Sequence, residues 1–141
     1  MAADRIETLI AQMTVEEKVG QLGVFADMVR PFAPDVNPEA NVLNADQVLQ
    51  QVREGKVGSL FNGVGVEAGR RIQQVAMEES RLKIPVILAA DVIHGMRTVF
   101  PIPLGEAASF EPDLAERTAR ATAVEATAAG LHWTYAPAVD I

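Results

Sequence analysis

The chain has 141 residues, enough to bury one core, and 49% hydrophobic with 22% charged residues is the composition of a folded domain rather than a disordered one. A formal net charge of −7, with Lys and Arg scattered, argues against nucleic acid or an anionic membrane surface as a partner. The absence of cysteine excludes disulfides and thiolate metal sites.

No apolar run approaches the ~20 residues needed to cross a bilayer. The opening Met1-Ala2-Ala3-Asp4-Arg5 lacks the apolar segment of an export signal, which leaves the cytoplasm and a mature periplasmic or secreted form both open. Ile6, Leu9, Ile10 and Met13 then fall at helical spacing across residues 4–13. Thr14-Val15-Glu16-Glu17 reads as a capping box, Thr14 starting a second, short helix and Glu17 reaching back. An apolar run over 22–26 ends at Asp27, and residues 30–44, with Pro31, Pro34 and Pro38, read as a long loop.

From Asn44 the pattern is regular. Asn44 is placed to cap a helix carrying Val48, Leu49 and Val52, which Gly55 stops. A short apolar strand over 57–61 ends at Asn62-Gly63, and a helix over 67–80 sets Ile72, Val75, Ala76 and Glu79 on one face. The continuous apolar run 84–90 predicts a strand buried on both sides and ending at Asp91. Residues 91–111 form a loop far longer than usual between a strand and its helix. Pro112 suits a first helical turn, residues 114–129 read as an Ala-rich helix ended by Gly130, and a last strand over 131–139 leads to Asp140.

Strands alternating with helices at these spacings predict parallel pairing, in either a doubly wound open sheet or a (β/α)8 barrel. Gly63-Val64-Gly65 lacks the third glycine of a phosphate-binding turn, which weakens the nucleotide-binding sheet. A barrel takes about 250 residues. The expectation is therefore an α/β fold in which residues 1–141 are the amino-terminal half of a TIM-type (β/α)8 barrel, with the rest of the barrel outside this chain.

Active sites of such barrels lie at the carboxyl ends of the strands. The strand-end residues here are Asp27, Asn62, Asp91 and Asp140, an acidic rim suited to the hydroxyl donors of a sugar and repulsive to a phosphorylated substrate. Asp91 emerges directly from the apolar strand; it is either a charge-assisted acceptor for substrate hydroxyls or a cap on the following turn. Arg97 is placed to hold Asp91 or Asp140, or to stand exposed. Asp140 is either an organiser of the rim or an ordinary turn carboxylate. His94 fits a structural hydrogen bond better than catalysis, and with only two histidines no metal site is expected. Trp133 and Tyr135 could stack on a sugar, but their strand spacing favours packing.

Several motifs then occur in one order. Met13-Thr14-Val15-Glu16-Glu17-Lys18-Val19-Gly20-Gln21-Leu22 resembles the opening motif of family 3 glycoside hydrolases. Val57-Gly58-Ser59-Leu60-Phe61-Asn62 looks like their first barrel strand. Ser80-Arg81-Leu82-Lys83-Ile84-Pro85, Asp91-Val92-Ile93-His94-Gly95, Thr98-Val99-Phe100-Pro101-Ile102-Pro103-Leu104 and Ala136-Pro137-Ala138-Val139-Asp140-Ile141 follow in the family's order. The Asp-Val-Ile-His-Gly form is similar to the family's β-glucosidases rather than to its N-acetylhexosaminidases. The resemblance implies that Asp91 binds hydroxyls of the sugar that is cleaved. It implies a retaining exo-acting β-glucosidase whose Asp nucleophile lies on a later strand, in a Ser-Asp-Trp-like motif that this chain lacks. The family's acid/base Glu, a substrate-binding Arg and a Lys-His pair also lie outside it. No catalytic residue is therefore expected in this segment, and the segment alone is expected to be inactive. The substrate is a β-glucoside or oligosaccharide, the partner is the remainder of the same enzyme, and no cofactor is implied, since carboxylate catalysis needs none. Two alternatives stand beside it: a β-xylosidase or other glycosidase of the family, and a noncatalytic sugar-binding or scaffold half-barrel that covers its edges as a homo-oligomer.

Overall fold

A computed structural model describes residues 2–29 and 43–138 of the chain. Helix α1 (Ala2–Gln12) leads into α2 (Val15–Leu22), and the expected capping box is formed. The Thr14 hydroxyl accepts from the Glu17 amide at 3.2 Å, while Glu17 Oε2 accepts from the Thr14 amide at 2.8 Å. Strand β1 is confined to Val24–Ala26, because Leu22 completes the helix and is left 86% exposed. The Pro-rich loop expected over 30–44 lies, for residues 30–42, outside the described residues.

Helix α3 (Ala45–Arg53) starts at Asn44, whose Oδ1 accepts from the Gln47 amide at 2.9 Å. Losing such a cap costs about 1 kcal/mol. Strand β2 (Ser59–Phe61) follows, then α4 (Val66–Gln74), which widens into a π-helical turn over Val75–Glu79. The Ser80 hydroxyl donates to the Ala76 carbonyl at 2.5 Å and closes that turn. Strand β3 covers Ile87–Ala90 rather than 84–90. Pro85 has no amide to pair, and both backbone groups of Val86 are taken by the Gln73 side chain, at 3.0 Å and 2.6 Å. Within residues 91–111 the chain forms a short helix, α5 (Pro103–Ala107), that periodicity did not reveal. Helix α6 (Pro112–Ala128) is as expected, with Pro in its first turn. Strand β4 is reduced to Trp133–Thr134; one further ladder bond, from the Tyr135 amide to the Ala90 carbonyl at 3.3 Å, reaches past it.

The four strands form one parallel sheet in the order β1-β2-β3-β4. Leu60 lies level with Leu88, and both pack with Val48, Leu49 and Val52 of α3, Ile72 of α4 and Val75. Each fully buried aliphatic side chain in this layer contributes roughly 1.5–3 kcal/mol. A second cluster joins Ala90 and Val92 to Ala126 of α6 and Leu131, with Met96 against it. Side chains alternate between faces, so Val24, Ile87 and Trp133 point away from the helices. They are 48%, 44% and 48% exposed. The strand expected to be buried on both sides is buried at Leu88, Ala89 and Ala90, and on the face away from the helices it is exposed only at Ile87. Among the described residues no helix is long and apolar enough to cross a membrane.

Candidate functional site

Parallel pairing brings the ends of β1, β2 and β3 to one rim. The register carries on one step past the strands, the Asp27 amide donating to the Phe61 carbonyl and the Asn62 amide to the Ala89 carbonyl, each at 2.9 Å. A cavity of about 440 Å³ opens there, lined by Asp27, Asn62, Asp91, Phe61, Gly95 and Met96 among others. That size is usual for a small-molecule site.

The two carboxylates of this rim differ. Asp27 is 3% exposed. Its Oδ1 accepts from the Val29 amide at 3.0 Å, and a Cβ on Gly63 would meet its Oδ2 at 2.3 Å. It is a packed, hydrogen-bonded group. Asp91 is exposed, and among the described residues its carboxylate has neither a hydrogen bond nor an ion pair. Its backbone, by contrast, is fixed: the Asp91 amide donates to Asn62 Oδ1 at 3.2 Å. Continuing the alternation along β3 puts Asp91 on the same face as Ile87 and Ala89, away from the helices.

After Asp91 the chain makes a tight turn. Gly95 pairs with Val99, the Phe100 amide donates to the His94 carbonyl at 2.8 Å, and His94 Nδ1 lies 3.0 Å from the Phe100 carbonyl. His94 is thus engaged in structure. Gly95 has φ +118°, and a Cβ there would meet the Thr98 carbonyl oxygen at 1.9 Å, so only glycine fits. Glu125 of α6 holds the turn from outside. Its carboxylate accepts from the Arg97 amide at 2.8 Å, the Thr98 amide at 2.8 Å and the Thr98 hydroxyl at 2.6 Å. The Thr98 hydroxyl first, and then the two amides, hold the Glu125 carboxyl below the usual carboxylate range. Sequence reading missed Glu125, which sits in the last turn of α6, 27 residues from Thr98; a carboxylate on the Ala-rich helix was its one signal.

No group of three or more His, Cys, Asp or Glu among the described residues could hold a metal. Trp133 and Tyr135 pack on each other with ring centroids 5.0 Å apart, on the carboxyl side of the sheet.

Residues 14–141 match the family model described as the glycosyl hydrolase family 3 N terminal domain. The chain belongs to glycosyl hydrolase family 3. Over 136 residues it is 41% identical to a periplasmic beta-glucosidase of Salmonella typhimurium, covering 96% of this chain and 16% of that protein. A putative beta-xylosidase of Formosa agariphila is 26% identical over 148 residues, with 98% of this chain and 19% of that protein covered. The crystal structure of a beta-glucosidase from Listeria innocua in complex with isofagomine superposes with a TM-score of 0.80 at 32% identity, covering all of this chain and 18% of that one. Its complex with glucose gives the same TM-score. The chain thus spans less than a fifth of the curated relatives it matches. The four-stranded parallel sheet is a fragment of the family's TIM-type barrel.

Membership of family 3 gives the opening motif a physical meaning. Arg81, from the Ser80-Arg81-Leu82 stretch, donates to Glu17 Oε1 at 3.0 Å and Oε2 at 2.5 Å, and to the Gln12 carbonyl at 2.9 Å. A Cβ on Gly20 would meet the Gly55 carbonyl oxygen at 2.4 Å. The motif is a packing joint on the far side of the fold from the rim chemistry. Of the site residues expected from sequence, Asn62 and Asp91 meet at the cavity. Arg97 does not hold Asp91: among the described residues they form no ion pair, and the Arg97 backbone is pinned beside Glu125 instead. Asp140 lies outside the described residues.

Proposed function

We propose that the chain is the amino-terminal segment, residues 1–141, of the barrel of a retaining, exo-acting β-glucosidase, and that Asp91 binds hydroxyls of the glucosyl unit being cleaved. One observation carries this reading: Asp91 presents an unengaged carboxylate to a cavity whose neighbouring acid, Asp27, is already satisfied. A carboxylate with free lone pairs forms short, charge-assisted bonds to hydroxyl donors. Two relatives are named beta-glucosidases, and one is in complex with glucose, which supports the same substrate here.

Retention of configuration uses two carboxyl groups about 5 Å apart, one as nucleophile and one as acid/base. The buried, hydrogen-bonded Asp27 fits neither role, and Asp91 is assigned to binding. Nucleophile and acid/base then come from residues beyond this chain, as the family resemblance implies. The exposed apolar face carrying Val24, Ile87 and Trp133 supports further strands closing over it. The segment by itself is inactive.

Steady-state hydrolysis of aryl β-glucoside and aryl β-xyloside by the complete gene product tests the assignment. The glucoside is expected to be favoured in kcat/KM by roughly tenfold or more, as in a pocket that hydrogen-bonds a hydroxyl its competitor lacks. Residues 1–141 alone should hydrolyse neither. A preference for the xyloside would transfer the protein to another activity of the family, and no hydrolysis of either would sink the hydrolase reading.

A further inference from the structure

We propose that Glu125 is a positioning residue: it fixes the 94–100 turn as one wall of the cavity beside Asp91 and thereby sets how tightly the sugar is held. The inference rests on the reading of the cavity as a sugar site. It deepens that reading by adding a residue from a helix outside the rim.

The geometry is that of a clamp. Gly95 and Met96 line the same cavity as Asp91. The next two residues, Arg97 and Thr98, deliver two amides and one hydroxyl to a single carboxylate, at 2.8, 2.8 and 2.6 Å. Without Glu125 those amides would have no partner in the turn, whose own bonds run between His94 and Phe100 and between Gly95 and Val99. Among the described residues no other hydrogen bond joins the turn to α6; Met96 adds an apolar contact against Ala90, Val92 and Ala126. Glu125 is next in sequence to Ala126, so the carboxylate and the apolar anchor act from the same helical turn. A wall held at one point moves if that point is cut, and sub-ångström shifts of binding groups are felt in affinity.

The test compares wild type, Glu125→Ala, Glu125→Gln and Thr98→Val in the complete gene product, by kinetics on aryl β-glucoside and by amide hydrogen exchange of residues 94–100. Removing the carboxylate should raise KM roughly tenfold while kcat stays within about threefold, because the nucleophile and acid/base are untouched. Glu125→Gln keeps an oxygen for the two amides and should restore KM nearly to the wild-type value. Thr98→Val removes one of the three bonds and should give an intermediate KM. Exchange across 94–100 should speed up in Glu125→Ala and not in Glu125→Gln. Wild-type KM in Glu125→Ala alongside faster exchange would reduce the clamp to a loop fastener and overturn the proposal, as would unchanged exchange. A wild-type protein that hydrolyses no glycoside fails the function reading instead, and the exchange comparison then shows separately whether the clamp holds.

Discussion

At φ +59° the backbone of Asn62 lies in the left-handed region, where a side chain costs roughly 1–2 kcal/mol and Asn is among the residues that tolerate it. The same residue supplies the oxygen that fixes the Asp91 amide at 3.2 Å. Conformation and anchoring can be separated by mutation. Asn62→Ala loses both, whereas Asn62→Gly relieves the backbone and still loses the anchor. If the anchor matters to the site, kcat/KM of the complete gene product should fall by roughly three- to tenfold in both variants, the equivalent of one net hydrogen bond. The unfolding midpoint should fall less in Asn62→Gly than in Asn62→Ala. Recovery of full activity in Asn62→Gly would show that only the turn geometry counts.

Helices α1 and α2 are joined to the body through Glu17 and Arg81, a joint that titrates. The Arg81 guanidinium, followed by the Thr14 amide, holds the Glu17 carboxyl below the usual carboxylate range. A depressed value in the folded state means stability that is present above the ordinary glutamate value of about 4.3. That stability is lost as pH falls through the lower folded value. The gap in unfolding midpoint between wild type and Glu17→Gln should therefore be widest near neutral pH and close below about pH 4. A gap that stays constant down to about pH 3 would mean the charge contributes nothing. This joint also shows what sequence can and cannot carry. The Thr14 and Asn44 caps were legible because both partners lie within four residues. Arg81 reaching Glu17, Glu125 reaching Thr98 and Gln73 reaching Val86 were not, since each pairs positions that only the fold brings together. The shortened β3 follows from the last of these, and α5 escaped notice because five residues are too few for a helical period to show.

Across the described sheet, one face packs on helices, the other exposes Val24, Ile87 and Trp133, and Asp91 stands at the carboxyl end on that second side. Parallel pairing and the strand-end acids were readable from the spacing of apolar runs. That Asp27 is buried and Asp91 free was not, because both follow an apolar run and only tertiary contact distinguishes them. The central claim is that this free carboxylate grips the sugar, and the direct measurement is kcat/KM of Asp91→Ala against wild type in the complete gene product on aryl β-glucoside. Loss of charged hydrogen bonds made in the transition state should remove roughly 2–4 kcal/mol, about a 30- to 1,000-fold drop, with the unfolding midpoint unchanged. A variant that folds normally and keeps near-wild-type kcat/KM would contradict it.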